Sequence, residues 1–91
     1  MDDSQKDIAM MLARTFDVEA SDDWQRFYDT LVKELHILIK SRSEHLFRIL
    51  YRIDVDETKA MDALSKPMAA EKLADLIVER QVQKWKTRKG L

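Results

Sequence analysis

The chain has no cysteine, one proline and one glycine among its 91 residues. Without cysteine there is neither a disulfide framework nor a thiolate zinc site, which fits a reducing cytosol, so the expected location is cytoplasmic. Glycine is confined to position 90 and proline to position 67, leaving the interior without the usual residues of tight hairpin turns. No Asn-Gly or Asp-Gly pair occurs, and hairpins are not expected. No apolar run approaches the ~18 residues a membrane span requires. The opening MDDSQKD is acidic and reads as neither a signal nor a transit peptide. Gly-rich phosphate loops, nucleophile elbows and HExxH pairs are missing too. The expectation is therefore no enzymatic activity and no cofactor.

What is present is enough to build a core. A chain that is 45% hydrophobic and 36% charged has a globular rather than a disordered composition. Its length allows one domain, residues 1–91, with residues 1–20 either a mobile segment or a short helix. The fold class expected is all-α: four or five helices in a small irregular or orthogonal bundle. Charge comes in blocks. Residues 1–30 carry three basic and eight acidic side chains, and residues 31–53 carry five and two. Residues 54–79 carry three and seven, and residues 80–91 five and none. Alternating blocks can neutralise one another within a bundle or between chains, unlike the uniformly basic surface of a dedicated nucleic-acid binder.

Helix signals divide the chain. Ser4, with Asp7 three residues on, opens a first helix whose apolar face is Ile8, Met11, Leu12 and Phe16. Ser21-Asp22-Asp23 precedes the clearest helix: Trp24, Phe27, Tyr28, Leu31, Val32, Leu35, Leu38 and Ile39 fall within an arc of about 140°. Ile37 breaks that pattern by pointing among Arg26, Thr30, Lys33 and Lys40. Ser41 with Glu44 predicts a third helix to Ile53, buried through Leu46, Ile49, Leu50 and Ile53, with Phe47 and Tyr51 to one side. Asp54 with Glu57 predicts a short fourth helix carrying Ala60, Met61 and Leu64. Pro67 suits the first position of a fifth, running from about Met68 to Arg88.

That last helix raises the main question. Ala69, Leu73, Leu76 and Ile77 predict its buried face, yet the same face continues into Arg80, Lys84 and Arg88. Val78, Val82 and Trp85, with Ala74, form a second apolar strip. The helix therefore outruns its own domain's core, changes the side it buries, or docks on something external. The cations and Trp85 could grip nucleic acid, which needs phosphate-neutralising side chains and stacking aromatics. They could equally meet an acidic surface of the same or another chain, or simply complement the negative end of a helix dipole.

Other candidates are weighed the same way. His45, Arg48 and Arg52 line one face of the third helix and form a candidate anion-binding stripe, though such stripes are common on solvated helices. His36 sits at the edge of an apolar face, and a partly buried, hydrogen-bonded histidine is favoured there over a phosphoryl acceptor. Asp54-Val55-Asp56-Glu57 lacks the glycine and the later glutamate of a calcium loop, so no metal is expected. Ile37, the Phe47/Tyr51 flank and the Val78/Val82/Trp85 strip exceed one apolar stripe per helix. That surplus favours an interaction module, foremost a homodimer joined through Ile37, Val78, Val82 and Trp85, with Arg80, Lys84 and Arg88 meeting carboxylates. Another protein is the other partner class, nucleic acid the alternative, and no membrane is implied.

The segments ILYRIDVDETK and ERQVQKWKTRK resemble a pattern in a group of short bacterial all-helical proteins of unknown function. There, a Tyr-Arg-Ile-Asp segment precedes a C-terminal helix ending in Lys-Thr-Arg-Lys. The resemblance implies a bacterial origin and an all-α fold. It carries over no functional residue.

Overall fold

Asp2, not Ser4, starts the first helix. In the computed structural model, which describes residues 1–90, α1 spans Asp3–Phe16. The Asp2 carboxylate accepts from the Gln5 backbone N–H at 2.8 Å, while Gln5 Oε1 accepts from the Asp2 N–H at 3.2 Å. This reciprocal box satisfies two N–H groups that a helix start leaves bare, and Ser4 adds a hydroxyl donated to Asp2 at 2.7 Å. Those donors hold the Asp2 carboxyl below its ordinary value, the Gln5 N–H contributing most. Residues 1–20 are thus mostly helical, and Ile8, Ala9, Leu12, Ala13 and Phe16 are buried. Leu91, the last residue of the expected domain, lies outside the described residues.

α2 covers Trp24–Ser41, its first N–H groups received by the Asp23 carboxylate. Phe27, Leu31, Leu35 and Leu38 are buried as the spacing predicts, and Trp24, Tyr28, Val32 and Ile39 flank them half-buried. Only Arg42 separates α2 from α3, Ser43–Arg52. The expected Ser41 cap does not form: Ser41 is the last residue of α2, and α3 has no side-chain cap. Instead Arg42, at φ −145 and ψ 52, passes its N–H back to Leu38 and its carbonyl forward to Leu46. One non-helical residue joins the two helices without leaving those two groups unbonded.

A chain nearly without glycine still needs left-handed residues to end its helices. Asp17 (φ 55) closes α1 and Asp54 (φ 62) follows the end of α3. After each, the next N–H reaches back five residues: Val18 to the Ala13 carbonyl and Val55 to the Leu50 carbonyl, both at 2.9 Å. This is the Schellman closure with aspartate where glycine usually stands, and the buried pair Leu50 and Val55 supplies its apolar contact. Asp54 is therefore the stop of α3 rather than the cap of the next helix. That cap is Asp56, which accepts from Lys59 at 2.9 Å and opens α4, Glu57–Leu64.

α5, Ala69–Arg88, packs against α1, α2 and α4 and is the hub of an all-α bundle. Pro67 is not its first residue; Met68, left-handed at φ 58, stands at its start without a side-chain cap. Its buried row is Ala70, Leu73, Ala74, Ile77 and Gln81. The cations on the continuing face do not interrupt the core: the helix keeps its Leu73–Ile77 row buried by an i+4 step to Gln81, leaving Arg80 and Lys84 half-buried and Arg88 exposed.

Candidate interaction surface

The end of α5 lies on its own chain. The Gln81 amide donates to the Ile53 carbonyl at 2.9 Å, Arg80 Nε to the Asp54 carbonyl at 2.9 Å, and Lys84 Nζ to the Asp54 carboxylate at 2.8 Å. Gln81 and Arg80 thus clasp backbone carbonyls that the end of α3 leaves open, while Lys84 holds the Asp54 side chain beside them. The bond from Lys84, then its charge, holds the Asp54 carboxyl below the ordinary aspartate value, with Arg80 adding to the effect. On the next turn, Trp85 Nε1 donates to Asp7 of α1 at 2.9 Å, and the Lys89 ammonium stands 5.7 Å from the centre of the indole. Val78, Val82 and Trp85 are half-buried against the chain's own core. The strip expected to mediate association is thus partly covered from within, and two of its three cations are engaged on Asp54. Arg88 is exposed, as is Ile37, at 56%.

The candidate anion stripe diverges. His45 is half-buried, whereas Arg48 and Arg52 are exposed. Arg48 borders a groove on the outer side of α3. Arg52 borders a separate cleft of about 230 Å³ that it shares with Lys84, Arg88 and Asp7. Neither of these cavities contains His45. The cleft joins the C-terminal ends of two helices, where cations are favoured and anions are not.

The open surface lies on α3. Advancing about 100° per residue, Glu44, Phe47, Arg48 and Tyr51 share one strip, opposite the buried Leu46, Ile49 and Leu50. α3 packs only against α2 and α4 among the closer helix pairs, so that strip faces outward. Tyr51 is 86% exposed, the most exposed large apolar side chain of the described residues. Beside it runs a groove of about 710 Å³, walled by Phe47, Leu50, Tyr51 and Val55 and rimmed by Glu44, Arg48 and Glu57. Tyr51 also borders a second groove of about 440 Å³ with Asp54, Asp56, Lys59, Glu79 and Arg80. The aromatic ring is a ridge between an apolar trough and a charged one. Among the described residues, Glu44, Arg48 and Glu57 make no ion pair. The sequence marked Phe47 and Tyr51 as surplus but did not single them out, because one stripe beside a core stripe is often absorbed by a neighbouring helix.

A smaller polar cluster links α2 to α5. Tyr28 donates its hydroxyl to Asp75 at 2.7 Å. Burial, then that bond and the charges of Asp75, Glu71 and Asp29, push the phenol up to about 12. His36 Nε2 lies 3.9 Å from Glu71 Oε1, an oxygen buried without a hydrogen-bond partner. His36 is exposed rather than the partly buried, hydrogen-bonded histidine expected, and the Tyr28–Asp75 bond makes this cluster a strut between α2 and α5.

Among the described residues, no helix is long and apolar enough to cross a membrane, and no group of three or more His, Asp or Glu is placed to hold a metal ion. No protein-family model, no curated protein and no solved structure matches the chain.

Proposed function

We propose that this chain is a protein-interaction module whose working surface is the outer face of α3. One observation carries the reading: an 86% exposed tyrosine stands over a preformed groove walled by Phe47, Leu50 and Val55. Exposed aromatics beside apolar pockets are where binding energy concentrates, and an apolar trough with charged rims is the usual anatomy of a contact. The partner is a polypeptide, either a second copy or a different chain. The α3 face is preferred to the Val78/Val82/Trp85 strip because docking there would have to compete with α1, starting with the Trp85–Asp7 bond. A bacterial, cytoplasmic setting belongs to the same proposal and rests on the sequence resemblance and the cysteine-free composition. A photo-crosslinking phenylalanine analogue at position 51, expressed in cells, is expected to capture a discrete polypeptide that the same group at exposed Lys33 does not. No adduct from position 51, or the same adducts from both positions, overturns the reading.

A second reading is kept for the basic end of α5. Lys86, Arg88 and Lys89 are exposed together there, and Arg52 shares a cleft with Arg88. Such a group would hold nucleic-acid phosphates by charge alone, since Trp85 is tied to Asp7. Binding to generic DNA and RNA that strengthens steeply as salt is lowered would support it. Undetectable binding at low ionic strength dismisses it.

A further inference from the structure

Glu44, Phe47, Arg48 and Tyr51 follow one another along the strip with a particular symmetry. An acceptor stands at one end, a phenol at the other, and a ring and a cation side by side in the middle. Turn a second α3 end over end against the first, with the two-fold axis between Phe47 and Arg48. Each Tyr51 then lies opposite Glu44 of the other copy, and each Arg48 opposite its Phe47. A phenol donates to a carboxylate, and a guanidinium is attracted to an aromatic face. Arg48 also lies diagonally across from Glu44 of the other copy, so the charges complement one another over the axis. The groups are available: neither Glu44 nor Arg48 makes an ion pair among the described residues, although i,i+4 spacing would permit one. No hydrogen bond engages the Tyr51 hydroxyl among the described residues. An isologous contact requires a patch that is its own complement, and this strip is one.

Resting on the interaction-module reading, we infer that the α3 face binds a second copy of this chain, with the two α3 helices antiparallel. α3 has 10 residues, about 15 Å of helix. The contact is therefore small, in the range of transient rather than obligate interfaces. It forms and dissolves with concentration, while each protomer keeps its own core.

Sedimentation velocity from about 10 to about 500 µM is expected to show monomer giving way to dimer, the range suited to so small an interface. Tyr51→Asp, Glu44→Arg and Arg48→Glu change exposed positions, and each is expected to weaken dimerisation at least about tenfold. The decisive measurement mixes two of them. Glu44→Arg and Arg48→Glu each place like charges across the axis alone, but opposite charges when combined. The mixture is expected to form a mixed dimer that neither variant forms by itself. A wild type that stays monomeric throughout overturns the inference. So does a dimer indifferent to these three changes, or a mixture no tighter than its components. If position 51 meanwhile captures a polypeptide of different mass in cells, the interaction-module reading stands while the second copy falls.

Discussion

Gln81 and Ile53 meet where α5 crosses the end of α3: the glutamine amide donates to the isoleucine carbonyl at 2.9 Å, and Gln81 is only 3% exposed. A buried carbonyl at a helix end is expensive to leave unbonded. Gln81→Leu fills similar space but cannot donate, and it is expected to lower stability by about 1–3 kcal/mol. Chemical denaturation at neutral pH measures it. A change near zero would mean that water or a shifted backbone satisfies Ile53.

Tyr28 gives a prediction at the alkaline end. Its phenol is held at about 12, above the ordinary 10.0. The folded state thus prefers the neutral form, so this contribution is complete below pH 10 and is lost as pH rises toward 12. In a Tyr51→Phe background, ultraviolet titration is expected to show the remaining phenol ionising about two units late and together with unfolding. Asp75→Asn should bring the transition earlier.

Asp54 acts at the acid end with the opposite sign. Its carboxyl is held below 3.8 by Lys84 and Arg80. The stability it confers is present above that value and is lost as pH falls through the lower, folded-state value. Thermal melts of the wild type should decline across this window, and Lys84→Met should remove a small part of that decline. The effect should also shrink with added salt, because the pair is exposed.

Met68 stands left-handed at φ 58 and is largely exposed. An ordinary side chain in that conformation costs about 1–2 kcal/mol, partly offset for glycine by its freer unfolded chain. Met68→Gly is expected to raise stability by about 0.5–1 kcal/mol, seen as a higher melting temperature. Loss of stability would show that the Met68 side chain contributes packing that its exposure conceals.

How much of this was legible depended on whether a side chain's partner lay nearby in sequence. α2 could be read because eight apolar residues repeat at helical spacing, and the structure buries or half-buries all of them. Helix starts were misplaced by one or two residues at Ser4, Ser41, Asp54 and Pro67. At Ser4 and Asp54 a neighbouring aspartate caps equally well and spacing does not choose between them, while α3 and α5 start at Arg42 and Met68 with no side-chain cap to signal them. Asp54 looked like a start and proved to be a stop, since its role depends on a left-handed backbone that aspartate tolerates. In α5 the core could continue from Ile77 by three residues or by four. Three gives Arg80 and four gives Gln81. Only the Ile53 carbonyl, 28 positions away, decides it. The α3 face was half legible: Phe47 and Tyr51 were visible as surplus, but that no other helix covers them is a tertiary fact.

The position of α5 as hub bears on how the chain is made. α1, α2 and α4 each rest on it, and Leu73, Ala74 and Ile77 fill the middle of the core. Before those residues leave the ribosome, α1, α2 and α3 can meet one another, but the core they share with α4 has no centre. The earlier helices therefore emerge with their apolar sides open. The complete core closes only when the fifth helix joins the other four.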